Sequence, residues 1–172
     1  GKTSLIYSYI NNSNQDQDNK NYKKIPKITI GTEYTETFFP KYNLHFHLWD
    51  CAGQERFKAV TRLYYRGCVG CILMFDLSNI KTLISLETYW IKTVIDNTET
   101  IPLFFLIGNK SDLIETIDPQ IKNIVNQMCN KYNITYIETS VINNTNIINA
   151  FNTFASQLHS LKQPLITEDK ID

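Results

Sequence analysis

Three short apolar runs, at residues 44–49, 71–75 and 103–107, are each followed at once by polar residues capable of chemistry: Asp50, Asp76 and Gly108-Asn109-Lys110. Runs of this length, rich in Ile, Leu and Phe and bounded by Gly, Pro or Asp, predict buried strands. Residues 134–137, ahead of Glu138-Thr139-Ser140, predict a fourth. Between the strands the apolar spacing changes to three and four. Leu83, Leu86, Trp90 and Val94 make one helical stripe, Ile121, Ile124, Val125 and Met128 a second, and Ile147, Phe151, Phe154 and Leu158 a third. Asp118-Pro119 opens the second of these helices with an N-cap and a proline at the first helical position. Strands alternating with helices predict an α/β fold with a mostly parallel, doubly wound sheet and helices on both faces. Ligands of such folds bind at the carboxyl ends of the strands, where the polar residues fall.

Residues 33–39 and 44–49, joined through 40–43, predict a hairpin that adds an antiparallel edge and makes the sheet mixed. His45 and His47 share one face of it. With no third ligand evident, they are read as a partly solvated strand face rather than a metal site. Residues 11–21 are nearly all Asn, Gln, Asp, Ser and Lys, with nothing to bury, and predict a mobile loop.

The 172 residues fit one domain that buries roughly 70% of its unfolded surface. Lys+Arg and Asp+Glu number 17 each, which argues against nucleic-acid binding through a broad basic face. No apolar run reaches the roughly 18–20 residues of a membrane span, and no signal peptide opens the chain. Cys51, Cys68, Cys71 and Cys129 form no disulfide framework, so a cytoplasmic setting is expected. The Cys68-x-x-Cys71 pair lacks a second pair for zinc and leads into a strand, and is read as ordinary core.

Two segments carry the chemistry. Asn109-Lys110-Ser111-Asp112 suits a guanine ring. Guanine presents its N1–H and exocyclic amine side by side, and an ionised Asp112 can accept both. Adenine would set a lone pair against the carboxylate, so discrimination comes from rejection as much as attraction. Charge-assisted hydrogen bonds of this kind contribute roughly 1.5–3 kcal/mol each. Asp50-Cys51-Ala52-Gly53-Gln54 suits a γ-phosphate and a water aimed at it. The chain opens Gly1-Lys2-Thr3-Ser4, the tail of the phosphate-loop pattern G-x-x-x-x-G-K-[ST] at the start of a helix. Lys2 would reach the β- and γ-phosphates, Thr3 would put its hydroxyl on Mg²⁺, and backbone N–H groups would cradle phosphate oxygens. The first half of that loop and the strand feeding it do not appear. The expectation is therefore a truncated sequence with a gap in its sheet, which folds and binds nucleotide poorly.

In this order the motifs resemble those of the Ras superfamily of small GTPases, and its Rab branch most closely. Residues 49–57, Trp-Asp-Cys-Ala-Gly-Gln-Glu-Arg-Phe, are similar to the Rab switch II signature, with cysteine where threonine is usual. Tyr64-Tyr65-Arg66-Gly67-Cys68 resembles the Y-Y-R-G-A element after it, Ile28-Thr29-Ile30-Gly31 the end of switch I, and Glu138-Thr139-Ser140 the last guanine-binding loop. The resemblance runs to about residue 161 and implies a P-loop NTPase G domain over 1–161, lacking its first strand, with a short tail over 162–172.

It also implies residue roles. Thr29 would bind Mg²⁺ and the γ-phosphate, Asp50 would hold Mg²⁺ through a water, the Gly53 N–H would touch the γ-phosphate, and Gln54 would orient the attacking water. Lys2 would assist catalysis. Tyr22 would pack against guanine, Asn109 and Lys110 would brace the ring and the phosphate loop, and the backbone of Ser140 and Val141 would approach the base. Val141-Ile142 replaces the usual Ala-Lys, so a lysine over the base is lost. Residues 161–172 hold no cysteine, where Rabs usually carry a prenylated pair. Membrane association is thus expected only indirectly or through an upstream lipid.

The implied protein is a monomeric switch in vesicle trafficking, cytoplasmic or peripheral on endomembranes, that binds GTP or GDP with Mg²⁺. It would hydrolyse GTP slowly and answer to an exchange factor, a GTPase-activating protein and effectors. The effectors would contact Ile30, Phe38, Trp49, Phe57 and Tyr64. A non-catalytic nucleotide-bound scaffold is the alternative, against which Gln54 speaks.

Overall fold

The computed structural model describes residues 1–13, 32–51 and 64–162. Helix α1 spans Lys2–Ser13, and strands β1 (Thr32–Phe39) and β2 (Leu44–Cys51) form an antiparallel hairpin. Strand β3 is Gly70–Asp76 and β4 is Leu103–Asn109. Helix α2 lies between them over residues 80–95. Helix α3 (Pro119–Tyr132), strand β5 (Thr135–Thr139) and helix α4 (Ile147–Lys162) complete the described chain. The parallel strands stand in the order β3-β4-β5. Among the described residues the expected mixed sheet is present in two parts, with no ladder between the hairpin and the parallel strands.

Helices cover both faces. On one, α2 and α3 bury Leu83, Leu86, Ile91, Ile121, Val125 and Met128 against Leu73, Phe75, Phe104 and Leu106. On the other, α1 and α4 place Leu5, Tyr9, Phe151, Phe154 and Leu158 against Phe105 and Ile107 of β4 and against Phe39, Leu44 and Phe46 of the hairpin. This second cluster joins the two sheets. Tyr9 lies at its middle, stacked on Phe151 with ring centroids 4.1 Å apart and on Phe39 at 5.5 Å. Each such large side chain contributes roughly 1.5–3 kcal/mol by burial.

Local chemistry explains the element ends. The Asp118 side chain accepts from the Gln120 N–H at 2.7 Å, the expected N-cap of α3, and left-handed Asn133 (φ 51°) closes that helix. The hairpin turns through a 3-10 turn, Pro40–Tyr42, into left-handed Asn43 (φ 47°), whose N–H returns to the Pro40 carbonyl.

Three expectations are corrected. Residues 11–13 continue α1 rather than starting a loop, because the helix already begun at Lys2 carries its hydrogen bonding through to Ser13; the remainder of 11–21 lies outside the described residues. The stripe Leu83-Leu86-Trp90-Val94 assumed a regular helix, but residues 86–90 form a π turn in which the Ile91 N–H donates to the Leu86 carbonyl. The buried step is therefore five residues, and Ile91 (1% exposed) takes the core position while Trp90 is only partly buried. The strands also run beyond their apolar runs, so Asp50, Asp76, Asn109 and Thr139 are held inside strand ends.

Candidate functional site

Helix α1 begins at the end of the candidate site where phosphate is expected. The Leu5 N–H donates to the Gly1 carbonyl at 2.9 Å, the first bond of the helix, so the N–H groups of Lys2, Thr3 and Ser4 precede the helical ladder. The Thr3 hydroxyl donates to the Asp50 carboxylate at the end of β2, and Asp50 is buried. Burial, and then the Asp50 charge, push the Cys51 thiol up to about 11 against the pull of Lys2, whose positive charge is therefore felt here.

A hydroxyl and a carboxylate facing each other across two elements are hard oxygen donors. Among the described residues no three His, Cys, Asp or Glu side chains could hold a metal ion. A small oxygen set of this kind fits Mg²⁺, which keeps several waters and takes the rest of its shell from phosphates.

At the other end, Asn109, Lys110 and Asp112 are each tied to a different part of the chain. Buried Asn109 accepts from the Thr139 hydroxyl of β5 at 3.0 Å. Its amide faces Gly1: a Cβ on Gly1 would fall 2.7 Å from Asn109 Nδ2, so any larger residue there would have to push that amide aside. Lys110 is left-handed (φ 67°), and its Nζ pairs with Asp76 Oδ2 at 2.5 Å. Asp112 Oδ1 accepts from the Ser140 hydroxyl at 2.5 Å, and that hydroxyl accepts from the Asn143 N–H at 3.0 Å. Asn146 completes the 140–146 loop by donating to the Glu138 carbonyl at 3.0 Å. Val141 packs partly against the α1–α4 cluster, while Ile142 is 81% exposed.

The structure thus brings Gly1, Lys2, Thr3 and Asp50 to one end, and Asn109, Lys110, Asp112, Ser140 and Val141 to the other. Tyr22, Thr29, Gly53 and Gln54 lie outside the described residues, as do Ile30 and Phe57. Three residues in contact with candidate site residues were not singled out by sequence reasoning. Asp76 and Thr139 were seen only as strand-end residues. Tyr34 was passed over although it lies directly across the ladder from Trp49. On the exposed outer face of the hairpin the Trp49 ring lies 4.7 Å from Tyr34 and 4.8 Å from Tyr64. Phe38 is on the same face but beside His45, four residues and about 13 Å along the strand from Tyr34, so it does not join that aromatic group.

His47 meets Tyr34 and lies 3.4 Å from Glu36 on this face, and both histidines are exposed, as expected. The four thiols form no disulfide with one another, and all are pushed up, chiefly by burial. No described helix is long and apolar enough to cross a membrane.

A family model described as the Ras family matches residues 1–160. The chain is similar to the Ras-related protein YPTC6 of Chlamydomonas reinhardtii, 31% identical over 173 residues, covering 98% of this chain and 76% of that protein. It is similar to the Ras-related protein RABA1c of Arabidopsis thaliana, 31% identical over 163 residues, covering 94% and 71%. It is also similar to the Ras-related protein Rab-13 of Mesocricetus auratus, 31% identical over 158 residues, covering 92% and 74%.

Proposed function

Because the chain belongs to the Ras family of small GTPases, we propose that it binds GTP and GDP with Mg²⁺, hydrolyses GTP slowly and acts as a Rab-like switch in vesicle and membrane trafficking. The observation that carries this reading is the Asp112 carboxylate, aimed by the Ser140 hydroxyl at 2.5 Å beside the buried Asn109. A fixed carboxylate accepts the paired donors of guanine and meets a lone pair in adenine.

Thr3 and Asp50 would hold Mg²⁺, Thr3 by its hydroxyl and Asp50 through a water, with Thr29 completing the set. When bound, Mg²⁺ supplies positive charge against the β- and γ-phosphates. Lys2 adds its own charge there, and the N–H groups at the start of α1 donate to the phosphate oxygens. Gln54 orients the attacking water, and the Gly53 N–H senses the γ-phosphate. The protein's contribution is positioning and charge stabilisation, so turnover alone is on the order of 10⁻⁴ to 10⁻² s⁻¹ until a GTPase-activating partner completes the site.

Loss of the γ-phosphate releases Thr29 and Gly53, and with them the surface that effectors read. The aromatic group of Tyr34, Trp49 and Tyr64 supports such a surface. An exchange factor would reload the nucleotide, and the protein would act as a monomer in the cytoplasm or peripherally on endomembranes.

Calorimetric titration with GTP and ATP tests the reading. GTP is expected to bind with clear preference, and Asp112→Asn to move that preference towards xanthine nucleotides. Equal affinity for GTP and ATP in the parent refutes the function. Unchanged selectivity in the variant removes Asp112 from the base pocket.

A further inference from the structure

Lys110 occupies a left-handed backbone conformation (φ 67°, ψ 38°) that side-chain-bearing residues adopt sparingly, so something must hold it there. Its ammonium lies 2.5 Å from Asp76 Oδ2. Asp76 is in turn fixed. Its Oδ1 accepts from the Ser78 N–H at 2.9 Å and the Ser78 hydroxyl at 2.6 Å, and its N–H donates to the Thr82 hydroxyl at 2.9 Å. The backbone joins the same two places: Asp76 is the ladder partner of Asn109, and the Leu77 N–H donates to the Asn109 carbonyl at 2.9 Å.

Resting on the reading of residues 109–112 as the guanine site, we propose that Asp76 is a positioning residue of the nucleotide grip. By pairing with Lys110 it sets that side chain and the left-handed turn that presents Asn109 and Asp112 to the base. An ordinary surface ion pair contributes little, because water screens it and both side chains are loose. This pair differs at its acidic partner: Lys110 is 46% exposed, but the Asp76 side chain is only 19% exposed and Ser78 holds its other oxygen. Burial alone would raise the Asp76 pKa, yet the hydrogen bonds from Lys110 and Ser78 outweigh it and hold the carboxyl below its ordinary value, so the charge persists at neutral pH.

The full chain, loaded with GDP carrying a fluorescent ribose label and chased with excess GDP, supplies the test. Asp76→Asn keeps the shape and removes the charge. Release is expected to accelerate about tenfold, and Asp76→Glu to recover most of the difference. In a Lys110→Met background the same Asp76→Asn change should add less than about twofold, since its route of action is gone. A merely structural aspartate would accelerate release equally in both backgrounds, and that result overturns the proposal. So does release from Asp76→Asn within about twofold of the parent. Ser78→Ala, which removes the hydroxyl's bond to the carboxylate without touching its charge, should accelerate release about threefold. If Asp76→Asn does not fold, an unchanged rate in Ser78→Ala overturns the proposal instead. Failure of the underlying reading looks different: the parent itself would retain labelled GDP no better than labelled ADP, and the proposal would fall with it.

Discussion

Ser140→Ala isolates the hydrogen bond proposed to aim the Asp112 carboxylate at guanine. Ser140 is 1% exposed, and its hydroxyl both donates to Asp112 Oδ1 at 2.5 Å and accepts from the Asn143 N–H at 3.0 Å. The substitution deletes both bonds. Asn143 is exposed, so its N–H turns to water at little cost. Asp112 is half-buried and loses a charge-assisted bond of roughly 1.5–3 kcal/mol, of which water recovers about half. The expected loss of stability is about 1 kcal/mol, or about 2–4 °C in the unfolding midpoint for a chain of this size. The carboxylate can then rotate, and each donor of guanine finds it out of line part of the time. GDP should bind about 5–30-fold more weakly, equivalent to about 1–2 kcal/mol. Urea unfolding followed by calorimetric titration with GDP measures both numbers. Affinity within about twofold of the parent would show that the hydroxyl does not aim Asp112. A stability loss above about 4 kcal/mol would show instead that the serine holds the 140–146 loop together.

Three further outcomes are expected. Tyr7→Phe removes the hydroxyl that donates to Glu33 Oε1 at 2.7 Å and ties α1 to β1, and should cost about 0.5–1.5 kcal/mol at neutral pH. That hydrogen bond, with burial and the Glu33 charge behind it, raises the Tyr7 pKa to about 12, so the contribution is complete below the ordinary value of 10.0 and is lost as pH rises through about 12. Parent and variant melting points that stay equally separated across that window would contradict the assignment. Gln54→Leu should slow single-turnover GTP hydrolysis at least about tenfold with GTP binding retained, and a rate equal to the parent's would remove Gln54 from the mechanism. Phe151→Ala opens a cavity beneath Tyr9, where the two sheets share one core, and should cost about 3–5 kcal/mol in urea unfolding; a loss under 1 kcal/mol would mean the two parts do not depend on each other.

The fold class and the strand ends that carry the candidate site were legible in the chain because they depend on local signals. Buried parallel strands must be apolar throughout, so the runs before Asp76 and Asn109 announce themselves, and an N-cap such as Asp118 acts within two residues of itself. The α2 stripe misled because periodicity assumes one helical pitch. A single π turn shifts the phase by one residue and exchanges Trp90 for Ile91 in the core. The low-complexity segment misled at its start because composition describes what a segment can bury, whereas residues 11–13 are carried by the helix before them.

The sequence by itself set out the chemistry to expect: residue type and order pointed to Asp112 for guanine and to Lys2 and Thr3 for phosphate and Mg²⁺, and the family resemblance implied the remaining roles. Tertiary structure alone decided who holds whom. That Thr139 steadies Asn109, Asp76 draws Lys110, Ser140 aims Asp112 and Tyr34 joins Trp49 and Tyr64 depends on strand register and on close approach between residues far apart in the chain. No local rule carries that information, because a hydrogen bond is set by distance and angle in space, and the chain separates these partners by as many as 34 residues (110 − 76 = 34).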